Sequence, residues 1–104
     1  MNCSINKETF SHIINTPKYF SNGDLTFIYK SCDDNYLGFV LPKRLGAANQ
    51  RNLFKRRCRS IFQTAQKRAQ FINFGVIIKT KRIDVSFQTL NNAFLKLSNN
   101  IVLK

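Results

Sequence analysis

The chain is 104 residues long and 43% apolar, with ten Phe and no Trp, a composition that fits a single domain over 1–104 and excludes a disordered chain too poor in residues that bury surface. Seventeen Lys and Arg against five Asp and Glu give a formal net charge of +12, a field that attracts polyanions such as nucleic acid or an anionic membrane. No run of about 18 apolar residues is present, which excludes a membrane-spanning helix, and the start MNCSINKETF lacks the layout of a secretion signal.

In chain order, Asn6 can cap a short helix to about Asn15, with Phe10, Ile13 and Ile14 at helical spacing and Pro17 as its stop. Residues 16–23 read as a loop. Leu25, Phe27 and Tyr29 alternate with Thr26, Ile28 and Lys30, and a turn at Asp33, Asp34 and Asn35 precedes the apolar stretch 36–41. This predicts a hairpin of two strands. Pro42 closes the second strand and a basic, Gly-containing loop over 43–48 leads to a long helix from about Asn49, its expected cap, to Gln70. The continuous apolar run 74–80 suits a buried strand, and after a turn at 81–84 Ser86 caps a last helix to about Ser98 with Phe87, Leu90, Phe94 and Leu97 on one face. The tail 99–104 is expected to be frayed. The predicted order is αββαβα, an α+β sandwich of helices on a small sheet.

All five acids lie at Glu8, Asp24, Asp33, Asp34 and Asp84, so residues 35–83 hold none, while 12 of the 17 basic residues fall in that stretch. Cys3, Cys32 and Cys58 are widely spaced, with only His12 as an imidazole partner. They read as reduced thiols of a cytoplasmic protein, since neither a zinc site nor a disulfide framework has that spacing.

The predicted long helix separates its residues by chemistry at 100° per residue. Phe54, Cys58, Ile61, Ala65 and Ala69 form one stripe, and Arg51, Asn52, Lys55, Arg56 and Arg59 fall in a neighbouring sector of about 140°. Like charges at i,i+4 weaken a helix by a few tenths of a kcal/mol per pair. Such crowding implies an anionic partner. Guanidinium groups grip phosphate oxygens in pairs, and Asn52 can donate and accept toward a 2′-hydroxyl or a base edge, which suits structured RNA. A solvated basic face is the bland alternative, and a membrane-surface or calmodulin-target helix is disfavoured because the domain's own core needs the apolar stripe.

From Gly38 to Arg59 the sequence GFVLPKRLGAANQRNLFKRRCR resembles the signature of the ribonuclease P protein component: an apolar strand, a basic pair, then G-x-A-x-x-R-N-R-x-K-R-x-x-R. Phe10-x-x-Ile13-Ile14 and Gly75-Val-Ile-Ile are similar to the family's N-terminal and late-strand patterns, so about 90 residues can be laid along it, with only the central motif specific. Three positions depart from the pattern. Leu53 stands for the second Arg of R-N-R, Pro42 for a small residue before the basic pair, and Ser60 for an acid after the last Arg. Arg57, one turn beyond Leu53, is expected to supply the missing charge.

The resemblance implies a ribosomal S5 domain 2-like α+β fold with a left-handed βαβ crossover through the basic helix, a handedness that pattern alone would not predict. It implies a protein subunit that binds the ribonuclease P RNA and precursor tRNA, takes no small-molecule substrate and no membrane, and assists endonucleolytic removal of the tRNA 5′ leader. Chemistry is expected from the RNA subunit with Mg²⁺ bound mainly there. Lys43, Arg44, Arg51, Asn52, Lys55, Arg56 and Arg59 would contact that RNA, joined by Arg57. The leader would lie in a cleft between the first helix and the sheet, with Phe10, Ile14, Tyr29 and Lys30 as candidates. A base can stack on an aromatic face and a cation can follow the backbone; a one-residue change in strand facing would exchange Tyr29 for Ile28.

The residues themselves offer no protein active site: one His, no carboxylate cluster, no G-x-S-x-G and no phosphate-cradling glycine loop. A stand-alone nuclease is therefore disfavoured. A ribosomal or general RNA-binding protein would share the charge and fold class, and the register of the basic motif argues against it.

Overall fold

The computed structural model of the chain describes residues 7–68 and 73–102. Its elements run α1 (Lys7–Ile14), β1 (Lys18–Asn22), β2 (Leu25–Ser31), β3 (Tyr36–Val40), a short 3₁₀ turn (Lys43–Leu45), α2 (Ala48–Lys67), β4 (Phe74–Thr80) and α3 (Phe87–Val102). The four strands form one mixed sheet in the order β1-β2-β4-β3. β1 with β2 and β2 with β4 are antiparallel, while β3 and β4 are parallel and joined through α2. The molecule is the expected small α+β domain.

Two features of the predicted order change. The stretch 16–23 is not a loop throughout, since Lys18–Asn22 forms β1 and pairs with β2 through a two-residue turn at Gly23 and Asp24. Gly23 has φ +62, a conformation that glycine adopts at no steric cost and that two-residue hairpins require. The order is therefore αβββαβα. The predicted hairpin of β2 with β3 is also not formed, because β4 lies between them. Val76, Ile77 and Ile78 are all fully buried, and a strand apolar on both faces is stable only inside a sheet.

The two faces of the sheet carry different cores. Phe27, Tyr29, Leu37, Val76 and Ile78 pack under α2 and α3 with Phe54, Phe62, Phe94 and Leu97. On the opposite face, Ile28 and Ile77 meet Ile13 of α1, flanked by Phe10, Cys32 and Val40. Gly75 permits that approach: a Cβ there would collide with the Ile13 side chain and lie 2.8 Å from Cys32 Sγ.

Helix ends follow local chemistry. The expected cap of α1, Asn6, lies outside the described residues. At the other end of α1, Lys30 Nζ donates to the carbonyls of Asn15 at 2.6 Å and His12 at 3.3 Å, taking up two groups that helix termini leave without partners. Ala47, not Asn49, is the cap residue of α2, and the Gln50 side-chain oxygen accepts its N–H at 3.0 Å. Asn49 sits within the first turn; residues 69 and 70 lie outside the described set. Ser86 caps α3 as expected, accepting the Thr89 N–H at 3.2 Å. That helix continues through residues expected to be frayed: Asn100 donates to the Tyr29 hydroxyl at 3.0 Å, and Ile101 packs on the core. Residues 103 and 104 are outside the described set. No helix among the described residues is long and apolar enough to cross a membrane.

Candidate nucleic-acid interface

The basic pair is presented by the 3₁₀ turn. Pro42 is extended at φ −60 and ψ 148, and Leu45 and Gly46 donate back to Pro42 and Lys43 carbonyls, leaving Lys43 and Arg44 exposed. Gly46 then passes so close to α2 and to the loop after β4 that a Cβ would stand 2.5 Å from Gln50 Oε1 and 2.9 Å from Ile83 Cδ1. No acid occupies the first turn of α2, so the positive end of its dipole adds to the cations around it.

Along α2, Phe54, Cys58, Ile61, Phe62 and Ala65 are buried. Burial pushes the Cys58 thiol up to about 12, which makes it a neutral core group. The expected residue Ala69 of this stripe is outside the described residues. Asn52, Arg56 and Arg59 are exposed and Lys55 half-buried, forming a ridge along the helix. Arg51, half-buried, donates through Nε to the Gly46 carbonyl at 3.3 Å and ties the ridge to the preceding loop. The Arg59 guanidinium lies 5.8 Å from the Phe39 ring centroid, a cation–π contact that sequence reasoning did not find. Among the described residues the one ion pair is Arg82 with Asp84, at 2.7 Å. The ridge cations have no acid against them there.

Arg57 does lie beside Leu53, as expected, but both face away from Lys55 and Arg59. They line a groove of about 640 Å³ between α2 and the loop after β4, together with Arg44, Lys81 and Arg82. Arg57 Nη1 donates to the Val85 carbonyl at 3.3 Å. At 100° per residue its side of the helix is roughly 160–200° from Lys55 and Arg59, so it does not fill a gap in the ridge. Lys81 and Arg82 were readable only as basic residues following a strand; their proximity to Arg57 depends on the tertiary fold.

The face covered by α1 gathers three of the four cleft candidates. Phe10 is half-buried beside Ile13, Ile14 is 48% exposed, and Lys30 reaches the end of α1. Tyr29 is the exception. Its ring is 2% exposed, lies in the α2–α3 core and bonds Asn100, so it cannot stack on a base. The physical reason is strand alternation, which sends neighbouring residues to opposite faces. Ile28 takes the α1 side, and its cross-strand partner Tyr19 is 65% exposed on that same face. The sequence does not reveal Tyr19, because the alternation of its strand is weak. His12 Nε2 sits 3.4 Å from the Ser31 carbonyl, bridging α1 and β2. Among the described residues no group of three or more His, Cys, Asp or Glu is placed to hold a metal ion.

A family model described as Ribonuclease P matches residues 5–102. The chain is 31% identical over 96 residues to the ribonuclease P protein component of Mycoplasma mycoides subsp. mycoides, covering 88% of each chain. It is 26% identical over 98 residues to that of Mesomycoplasma hyopneumoniae, again covering 88% of each. The fold is similar to the Staphylococcus aureus RNase P protein, with a TM-score of 0.76 at 20% identity over 98% of this chain and 96% of the other. The Thermotoga maritima RNase P protein gives the same TM-score at 21% identity over 93% and 96%.

Proposed function

The chain belongs to the ribonuclease P protein family, and on that premise we propose that it is the protein subunit of a ribonuclease P holoenzyme, binding the catalytic RNA along α2 and the precursor tRNA leader beside α1. The observation that carries this reading is the α2 ridge, whose exposed Asn52, Arg56 and Arg59 and adjoining Arg51 and Lys55 face no acid among the described residues. With Lys43 and Arg44 at the end of the helix, they neutralise crowded phosphates of the RNA subunit and fix its position. Arg57 contributes charge from the other flank.

The chemistry is phosphodiester hydrolysis that releases the 5′ leader; Mg²⁺, held mainly by the RNA subunit, would supply water activation and charge stabilisation there. The residues of this chain bind and orient. In the cleft, Phe10 and Ile14 supply apolar surface, Tyr19 a face on which a base stacks, and Lys30 a cation for the backbone. The proposal places this work in the cytoplasm, on RNA partners alone.

Titrating salt against binding to a bacterial ribonuclease P RNA tests the ridge. The logarithm of affinity falls by about 0.7–0.9 per engaged phosphate for each log unit of salt. Arg56→Ala and Arg59→Ala each lower that slope by about 1. A slope that neither substitution moves sinks the assignment.

A further inference from the structure

We infer that Lys30 is the positioning residue of α1: its ammonium holds shut a strained joint between α1 and β1, and so sets where the cleft side chains Phe10 and Ile14 stand when a leader arrives. The inference rests on the leader-binding role proposed above. It gives Lys30 a task that a free cation in a cleft does not have.

α1 has little else to fix it. Of Lys7–Ile14 only Ile13 is buried, and so short a helix is marginal on its own in water. Its last backbone bond runs from the Asn15 N–H to the Ser11 carbonyl at 3.2 Å. The chain then turns at Thr16, which has φ 55. This is the left-handed conformation in which helices commonly end, ordinarily at a glycine. For a β-branched residue it is an outlier, and Pro17 crowds it further, because the residue before a proline is pushed toward extended conformations. Strain of that kind persists only where the surroundings over-determine it.

Those surroundings converge on one carbonyl. The Asn15 oxygen accepts from Lys30 Nζ at 2.6 Å and from the Thr16 hydroxyl at 2.6 Å. Lys30 Nζ also donates to the His12 carbonyl at 3.3 Å. A cation is favoured at a helix C-terminus both by the dipole and by the carbonyls left without partners there. Lys30 comes from β2, which is paired on both sides through β1 and β4, so the helix takes its position from a rigid strand. An ammonium has three N–H donors. Two go to α1, which leaves one for a phosphate of the leader.

Pinning α1 and meeting the leader are thereby joined in one group. Without the ammonium, Thr16 relaxes and carries Phe10 and Ile14 away from the sheet. The effect on leader binding then exceeds that of one lost phosphate contact.

Amide exchange on the full chain, and affinity for precursor against mature tRNA in holoenzyme assembled with a bacterial ribonuclease P RNA, test this together. Lys30→Met should speed exchange of residues 12–15 by about tenfold, the scale of a lost hydrogen bond to a charged group, while β2 and β4 stay protected. It should also lower the preference for precursor over mature tRNA, and lower it much less in an Ile14→Ala background, as coupled positions do. Thr16→Asn places at the joint a residue that enters the left-handed region more readily. Alone it should slow exchange of the same amides, and with Lys30→Met it should restore part of the protection and of the precursor preference, which a change at the joint cannot do for a phosphate contact. Unchanged exchange in either single variant, losses fully additive with Ile14→Ala, or no recovery in the double variant overturns the positioning role while leaving the cleft intact. Equal binding of precursor and mature tRNA by the wild-type holoenzyme overturns the leader reading, and this inference with it.

Discussion

Arg59 on α2 lies over Phe39 on the edge strand β3, with 5.8 Å from its guanidinium carbon to the ring centroid. The contact fixes the direction of a cation that would otherwise swing on a long side chain. Such a contact is worth about 0.5–1 kcal/mol at an exposed site. Phe39→Leu is therefore expected to weaken RNA binding by about two- to fivefold while the half-buried position stays filled. In the Arg59→Ala background the same substitution should change affinity little. A double-mutant cycle on RNA binding checks this, and full additivity would contradict it.

Tyr29 and Asn100 join β2 to the last turn of α3 through a 3.0 Å hydrogen bond. Tyr29→Phe is expected to cost about 1 kcal/mol in urea unfolding and to leave leader binding unchanged. Tyr19→Ala should do the reverse. Leader affinity falling on Tyr29→Phe, with stability unchanged, would return Tyr29 to the cleft.

Gly75 lets Ile13 press against the sheet. Gly75→Val should lift α1, lower stability by about 1–3 kcal/mol and raise amide exchange in residues 7–14. Protection of α1 equal to wild type would show that the helix docks by other contacts.

Cys58 is buried, and loss of solvation holds its thiol pKa at about 12 against an ordinary 9.0. Native protein at pH 8 should leave Cys58 unmodified by a thiol reagent until denaturant is added. Between pH 9 and 12 the unfolded thiol loses its proton while the folded one keeps it, so unfolding releases a proton. This contribution to stability is full below pH 9 and falls with rising pH by up to about 1.4 kcal/mol per unit. Cys58→Ala should flatten that alkaline decline, at the cost of a small cavity.

Much of the fold is legible because its signals are local. The apolar run of β4 spans Phe74–Thr80 as read, and Ser86 caps α3 through a bond that its side chain alone can make. What was hidden is non-local. β1 exposes Lys18, Tyr19 and Ser21, so its alternation is weak, although Asn22-Gly23-Asp24 carried a usable turn signal. The insertion of β4 between β2 and β3 depends on contacts far apart in sequence, which no window of residues records. The ridge was visible from helical spacing alone. The groove was not, because Arg44, Arg57 and Lys81 come from three separate segments. Tyr29 illustrates the sensitivity of strand reading, since one residue of register decides between a cleft wall and the core.

Precursor tRNA cleavage by a bacterial ribonuclease P RNA, measured with and without this chain at near-physiological Mg²⁺, tests the central claim most directly. The chain should raise the cleavage rate, do nothing in the absence of the RNA subunit, and lose its effect when Arg56→Glu and Arg59→Glu reverse the ridge. Cleavage by the chain alone, or a rate that the chain leaves unchanged, would contradict the account.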